Sequence, residues 1–340
     1  MKTGIVACYG ELLLRLGAPG RQRLLQSPVL DVHIGGAEAN VAVSLSQWGH
    51  AVRMIGRVSA NALGDAASGE LRRHGVDTSR VEAAAGRMGL YFLTTGALQR
   101  PSEVIYDRAD SAFARGTPAD YDWPALLDGA GWLHLSGVTP ALGAAVAQTA
   151  IDAARTARRL GLGVSFDGNF RPQLWQAWQG NAPGILRQLM EQATVLFADH
   201  RDIAVVLGLS FDQAETTERN RAAASAAFEA FPGLRHMACT LRQTYSVDHQ
   251  GLGAMLFNRN GEVHLAPERT LSAVVDRIGG GDAFAAGILH GLFSQLPDAE
   301  TLGFGLAAGC LKHSIEGDFN RVSQAEVHAL MGEDRLDVRR

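Results

Sequence analysis

Several features that would commit a chain to a specialised architecture are missing here. Only three cysteines occur in 340 residues, Cys8, Cys239 and Cys310. An odd, sparse set excludes a disulfide framework and fits a reducing compartment, and each sits among apolar neighbours as a small buried hydrophobe. No Cys/His spacing suggests zinc. Basic surplus is absent too: the net charge is −4, which leaves no electrostatic footprint for nucleic acid or an anionic membrane. The apolar run that begins at Ile5 is soon broken by Glu11 and Arg15, so it reads as neither a signal peptide nor a membrane span. There is no internal repeat and no low-complexity segment. The expectation is a soluble cytoplasmic protein. With 46% hydrophobic residues, the chain can bury one large core, with room for a small accessory layer.

Two nucleotide motifs are also absent. No Gly-Lys-Ser/Thr follows a glycine turn, and no GxGxxG opens a helix. What stands instead is Val274-Val275-Asp276-Arg277-Ile278-Gly279-Gly280-Gly281-Asp282, followed by helical spacing at Phe284, Ile288, Leu289 and Leu292. An apolar, strand-like pair leads into three glycines, and a helix is expected over 283–295. Glycines leave backbone N–H groups uncovered, and a helix start adds unpaired donors and partial positive charge. That makes an anion cradle, with Asp282 at its mouth able to accept a hydroxyl proton. The same residues also describe an ordinary tight turn with Asp282 as helix N-cap.

Elsewhere the chain alternates strand and helix. Strands are expected at 5–8, 52–58, 133–136, 163–167, 194–198 and 236–240, and helices at 41–48, 66–74, 144–160, 183–192, 221–231 and 299–314. Asn260-Gly261 marks a hairpin turn. This alternation implies an α/β fold with a largely parallel sheet and helices on both faces, whose ligands bind beyond the carboxyl ends of the strands. Two β-rich interruptions, near 11–34 and 90–108, read as one small β layer, and residues 331–340 as a charged tail.

Further constellations lie along this frame. Asp167-Gly168-Asn169-Phe170-Arg171 ends a strand with acid, amide and guanidinium at alternate positions. Arg171, and Arg108 in Tyr106-Asp107-Arg108, can each take a carboxylate or phosphate. Asp199 and Asp202 suit a water-mediated Mg²⁺ site or a helix N-cap with a first-turn acid. Gly317 looks like the cap of the last long helix.

These residues resemble the ribokinase-like (PfkB) carbohydrate kinases over about 1–330. The carriers are Asp276–Asp282 and Gly35-Gly36 with Asn40. The likeness is closer still to the 2-keto-3-deoxygluconate kinases, through Asp167–Trp175, Tyr106–Ala109, Thr240–Arg242 and Lys312–Asn320. The resemblance implies a three-layer αβα sandwich with a mainly parallel central sheet and a small β-sheet lid. It implies ATP-dependent phosphorylation of a sugar acid with Mg²⁺, and possible use of a monovalent cation such as K⁺. Asp282 would be the base, and Gly279, Gly280 and Gly281 the anion hole. Gly35, Gly36, Asn40, Tyr91, Tyr106 and Asp318 would touch the sugar, and Arg108 and Arg171 its carboxylate. Asn169, Asp199, Thr240, Arg242, Gly251, Gly253, Ala308 and His313 would lie along the nucleotide, with Asp202 near the metal. Exposed lid edges would suit a homo-oligomer. Asp199-His200-Arg201-Asp202 departs from the Asn-x-x-Glu common in this family.

Overall fold

The structure, a computed structural model, describes residues 4–332. A nine-stranded sheet runs through its centre in the order β13-β12-β11-β10-β9-β8-β1-β4-β5. Its strands are β1 (Ile5–Tyr9), β4 (Val52–Ser59), β5 (Asp77–Ala84), β8 (Ala130–Ser136), β9 (Gly163–Asp167), β10 (Val195–Phe197), β11 (His236–Thr244), β12 (His249–Asn258) and β13 (Val263–Ser272). From β5 to β11 neighbours pair in parallel, and β12 and β13 close one edge antiparallel. Crossover helices return the chain between parallel strands and cover both faces.

Strand periodicity divides the core into two. In β1, Val6 and Cys8 join a cluster under the helices Ala37–Gln47, Gly280–Phe293 and Asp298–Lys312. Ala7 and Tyr9 point the other way, toward the helices Ala144–Arg159, Ala182–Met190 and Thr216–Ala230. The expected three-layer αβα sandwich is the result. All three cysteines are buried and free.

A second sheet has the order β3-β2-β6-β7, from β2 (Leu13–Gly17), β3 (Asp31–Gly35), β6 (Gly89–Thr94) and β7 (Glu103–Asp107). The two interruptions in the sequence thus meet as one layer, mixed because β2 and β6 pair in parallel. Its inner face carries Leu13, Tyr91 and Leu93, packed with Tyr106 and Ile278.

Two local expectations need correction. Val274-Val275 is not a strand: β13 ends at Ser272, and the amides of Val275 and Asp276 both donate to the His313 carbonyl. The following helix starts at Gly280 rather than 283. The charged tail falls mostly outside the described residues, and the helix Gln324–Gly332 is the last element described. Among the described residues no helix is long and apolar enough to cross a membrane.

Candidate active site

The glycine turn is built by a single backbone device. Gly279 takes a left-handed conformation, φ 79°, and becomes the N-cap of the helix Gly280–Phe293 without any side-chain cap. Gly281 and Asp282 therefore fall in the first turn, where a helix offers its own N–H groups no acceptor. Gly281 faces the open crevice, with nothing near its α-carbon. Asp282 is not the cap of its own helix. Its Oδ2 accepts a 2.7 Å bond from Asn40 Nδ2 instead.

Asn40 comes from the helix Ala37–Gln47, which starts behind Gly36 at φ 148°. Gly36 lies against the Glu11 carbonyl, so a side chain would not fit there. The second glycine turn is thus aimed at the first. Beside them Asp318 accepts from Tyr91 Oη at 2.7 Å and pairs with Arg15 at 3.2 Å. Gly35 and Gly279 both press on Asp318, one from each side.

On the other side of Asp282 lies a crevice of about 850 Å³ over the carboxyl ends of β9, β10 and β11. Asp167, Asn169, Arg171, Asp199, Asp202, Thr240, Arg242, Arg277 and Gly281 line it. Asp167 and Asp202 on its walls, and Asp282 next to Gly281, are half-buried. Loss of water pushes the Asp282 carboxyl up to about 7, against the bond from Asn40 and aided by the charges of Asp318 and Glu38. Burial, then the charges of Asp282 and Asp202, raises Asp167 to about 8. Burial and Asp199 raise Asp202 to about 6. Desolvation and then Arg277 pull Arg242 down to about 10. Carboxylates that resist ionising together, on the same walls as Arg171, Arg242 and Arg277, favour a ligand carrying both phosphate and a cation.

The predicted residues therefore divide. Gly35, Gly36, Asn40, Tyr91, Asp318 and Gly279–Asp282 come together, and Asn169, Arg171, Asp202, Thr240 and Arg242 meet on the crevice side. Tyr106 pairs with Tyr91 across the lid. Arg108 is buried, and its Nε is bonded to Glu11 at 2.7 Å, so it is anchored before any substrate arrives. Asp199 is the N-cap of the helix His200–Leu207, closes a capping box with Asp202, and pairs with Arg201 at 2.5 Å. The cap reading of that pair is realised, and Asp202 belongs to no trio of metal-ligating groups among the described residues. Gly251 and Gly253 face β13, and Ala308 is fully buried in its helix. None of the three is among the residues lining the crevice, and Gly251 and Gly253 leave room for Ala266 and Glu268 of β13. His313 lies under Gly280, with Nδ1 on the Gly309 carbonyl.

Asp167, read from the sequence as the acid ending a strand, lines the crevice. Two further groups were not singled out from sequence. Glu38 is buried and accepts from Ser136 N, Ser136 Oγ and Thr139 Oγ1 at 2.7–3.0 Å. Arg15 joins the lid to Asp276 and Asp318. Neither Glu38 nor Arg15 left a local signal, because their partners lie far away in the sequence. The trio Glu262, His264 and Asp298 is close enough to share an ion. It lies at the opposite end of the sheet, and Asn258 Nδ2 already donates to both carboxylates.

Comparison with known proteins agrees with this geometry. The model of the pfkB family of carbohydrate kinases matches residues 5–322. A 2-dehydro-3-deoxygalactonokinase of Haloferax volcanii is 31% identical over 329 residues, covering 97% of each chain. The crystal structure of a 2-dehydro-3-deoxygluconokinase from Thermotoga maritima superposes with a TM-score of 0.91 at 37% identity, over 97% of this chain and 99% of that one. A Pyrococcus horikoshii sugar kinase solved with ATP shares the fold, with a TM-score of 0.76 at 21% identity over 94% of this chain and 96% of that one. Family model, sequence and fold converge: the chain belongs to the pfkB family of carbohydrate kinases.

Proposed function

We propose that this carbohydrate kinase transfers the γ-phosphoryl group of ATP to the terminal (C6) hydroxyl of 2-keto-3-deoxygluconate, giving 2-keto-3-deoxy-6-phosphogluconate. The observation that carries the reading is the Asn40–Asp282 bond at the helix start. It joins the sugar-side turn and the phosphate-side turn at one carboxylate.

Asp282 takes the proton of the attacking hydroxyl as the new O–P bond forms and the bond to ADP breaks. Phosphoryl transfer asks for position and charge stabilisation more than for a strong base, so a carboxylate suffices. The free N–H groups of the first turn meet the charge that builds on the transferring group. Arg171, whose charge already acts on Asp167 and Asp282, and Arg108 favour an anionic sugar. Asp167 and Asp202 are hard oxygen donors with raised proton affinity, the chemistry expected around a hydrated Mg²⁺. Such an ion, when bound, would neutralise phosphate charge. Use of ATP fits a cytoplasmic enzyme. Val32 and Ile105, exposed on the edge strands β3 and β7, favour a homo-oligomer joined through the lid.

A second reading, the C4 epimer 2-keto-3-deoxygalactonate, draws on the Haloferax relative. Coupled ADP release, run with both epimers, aldonic acids and neutral ketoses, separates these readings. The proposal expects kcat/KM highest for 2-keto-3-deoxygluconate, and a preference for a neutral ketose would overturn it.

A further inference from the structure

Arg15 is the most enclosed charge on the strands of the lid, and no step of the transfer uses it. It lies midway along β2, opposite His33 of β3 and Tyr91 of β6. Its side chain is 3% exposed and leaves the lid altogether. Nη2 meets Asp276 Oδ2 at 2.7 Å, and Nη1 pairs with Asp318 Oδ1 at 3.2 Å. Both acids are nearly as enclosed, at 9% and 3%.

Asp276 is itself a junction. Its Oδ1 accepts from Ile278 N at 2.9 Å, which folds the approach to the glycine turn. Its Oδ2 also accepts from Gly317 N at 3.0 Å. Asp318, held by Tyr91, fills the gap between Gly35 at the lid root and Gly279 at the turn. Lys312 stands close by, with Nζ on the Ile315 carbonyl. Three segments far apart in sequence are thus tied through one guanidinium.

Buried ion clusters seldom stabilise a fold more than apolar packing of equal volume does. What a planar guanidinium adds is geometry: here one arm of the rigid fork is hydrogen-bonded to Asp276 while the other is held by charge beside Asp318. We infer that Arg15 is a positioning residue: it makes the lid root and the Gly279–Asp282 turn a single rigid body, so that lid movement is confined to the outer strands and loops. The sugar-facing and phosphate-facing groups then keep one spacing whether the lid is open or closed.

The test uses Arg15→Met, Arg15→Lys and the double variant Arg15→Met/Asp276→Asn, which also removes the carboxylate left unpaired. Amide hydrogen exchange on the full chain is the first readout. In Arg15→Met, Ile278 and Ala283 should exchange at least about tenfold faster, together with β2. A change confined to β2 would overturn the proposal. Kinetics are the second readout, and this arm rests on the kinase reading above. In both the single and double variants kcat/KM for the sugar acid should fall about 100-fold, the cost of a misplaced reacting group, with KM for ATP within about threefold. Arg15→Lys should recover only part, because an ammonium lacks the fork. If the double variant regains wild-type kcat/KM, Arg15 only balances charge and the proposal fails. If the wild-type protein phosphorylates no sugar acid, the proposed substrate is wrong, and the exchange experiment still decides the role of Arg15.

Discussion

The two sides of Asp282 are built on opposite principles. Toward the lid, each functional side chain already has a protein partner, Asn40 with Asp282, Tyr91 and Arg15 with Asp318, Arg108 with Glu11, although Asn40 Oδ1 and Arg15 Nε are left over. Toward the crevice, charge is left in surplus. Asp167 and Asp282 are pushed up to about 8 and about 7, while Arg171, Arg242 and Arg277 line the same walls. A neutral or singly charged sugar needs orientation, so its side is preorganised at the cost of adaptability. A highly charged nucleotide and its cation bring their own counter-charges, so their side can stay electrostatically unfinished.

That contrast can be broken or sharpened in order of effect. Asp282→Asn removes the group shared by both sides. It should lower kcat about 10²–10⁴-fold, as loss of a general base does, while calorimetry finds ATP bound as before. Arg171→Ala should raise the sugar-acid KM about 10–100-fold, the range for a lost charge-assisted bond, and a neutral ketose should feel no such loss. Asn40→Ala should cost about 1 kcal/mol of transition-state binding. It also removes the bond that holds the Asp282 proton affinity down, so the acid limb of the pH–rate profile should move to higher pH. Asp199→Ala should cost only about 1 kcal/mol of stability, seen in urea melts, because that side chain caps a helix.

Stability should follow the crevice with a definite sign. Asp167 and Asp282 bind protons more tightly folded than unfolded, so between about pH 4 and 8 the native state holds the extra protons and stability falls as pH rises. Asp167→Asn should therefore raise the Tm at pH 8 and leave it unchanged at pH 4, measured by calorimetry.

The sequence carried the layer architecture and the turn because both depend on local pattern. Strand–helix alternation and three glycines before an amphipathic run need no distant partner to be seen. Arg15 was invisible because its meaning comes from Asp276, 261 residues away. Asp199 and Asp202 stayed ambiguous because a capping box and a metal site ask for the same acids at the same spacing, and only the direction of the amides decides. Val274-Val275 misled as a strand: its apolar composition suits β pairing, yet the His313 carbonyl takes the amides of Val275 and Asp276. Gly251 and Gly253, which the resemblance puts along the nucleotide, lie against Ala266 and Glu268 of β13, a pairing no local pattern announces.

The most direct test of the whole account is the pH dependence of kcat/KM for 2-keto-3-deoxygluconate. If Asp282 is the base in an enclosed site, activity should fall tenfold per pH unit below about pH 7 and level off above it, because the carboxyl must be ionised to accept the proton. A profile that stays flat from about pH 5 to pH 8 would contradict it.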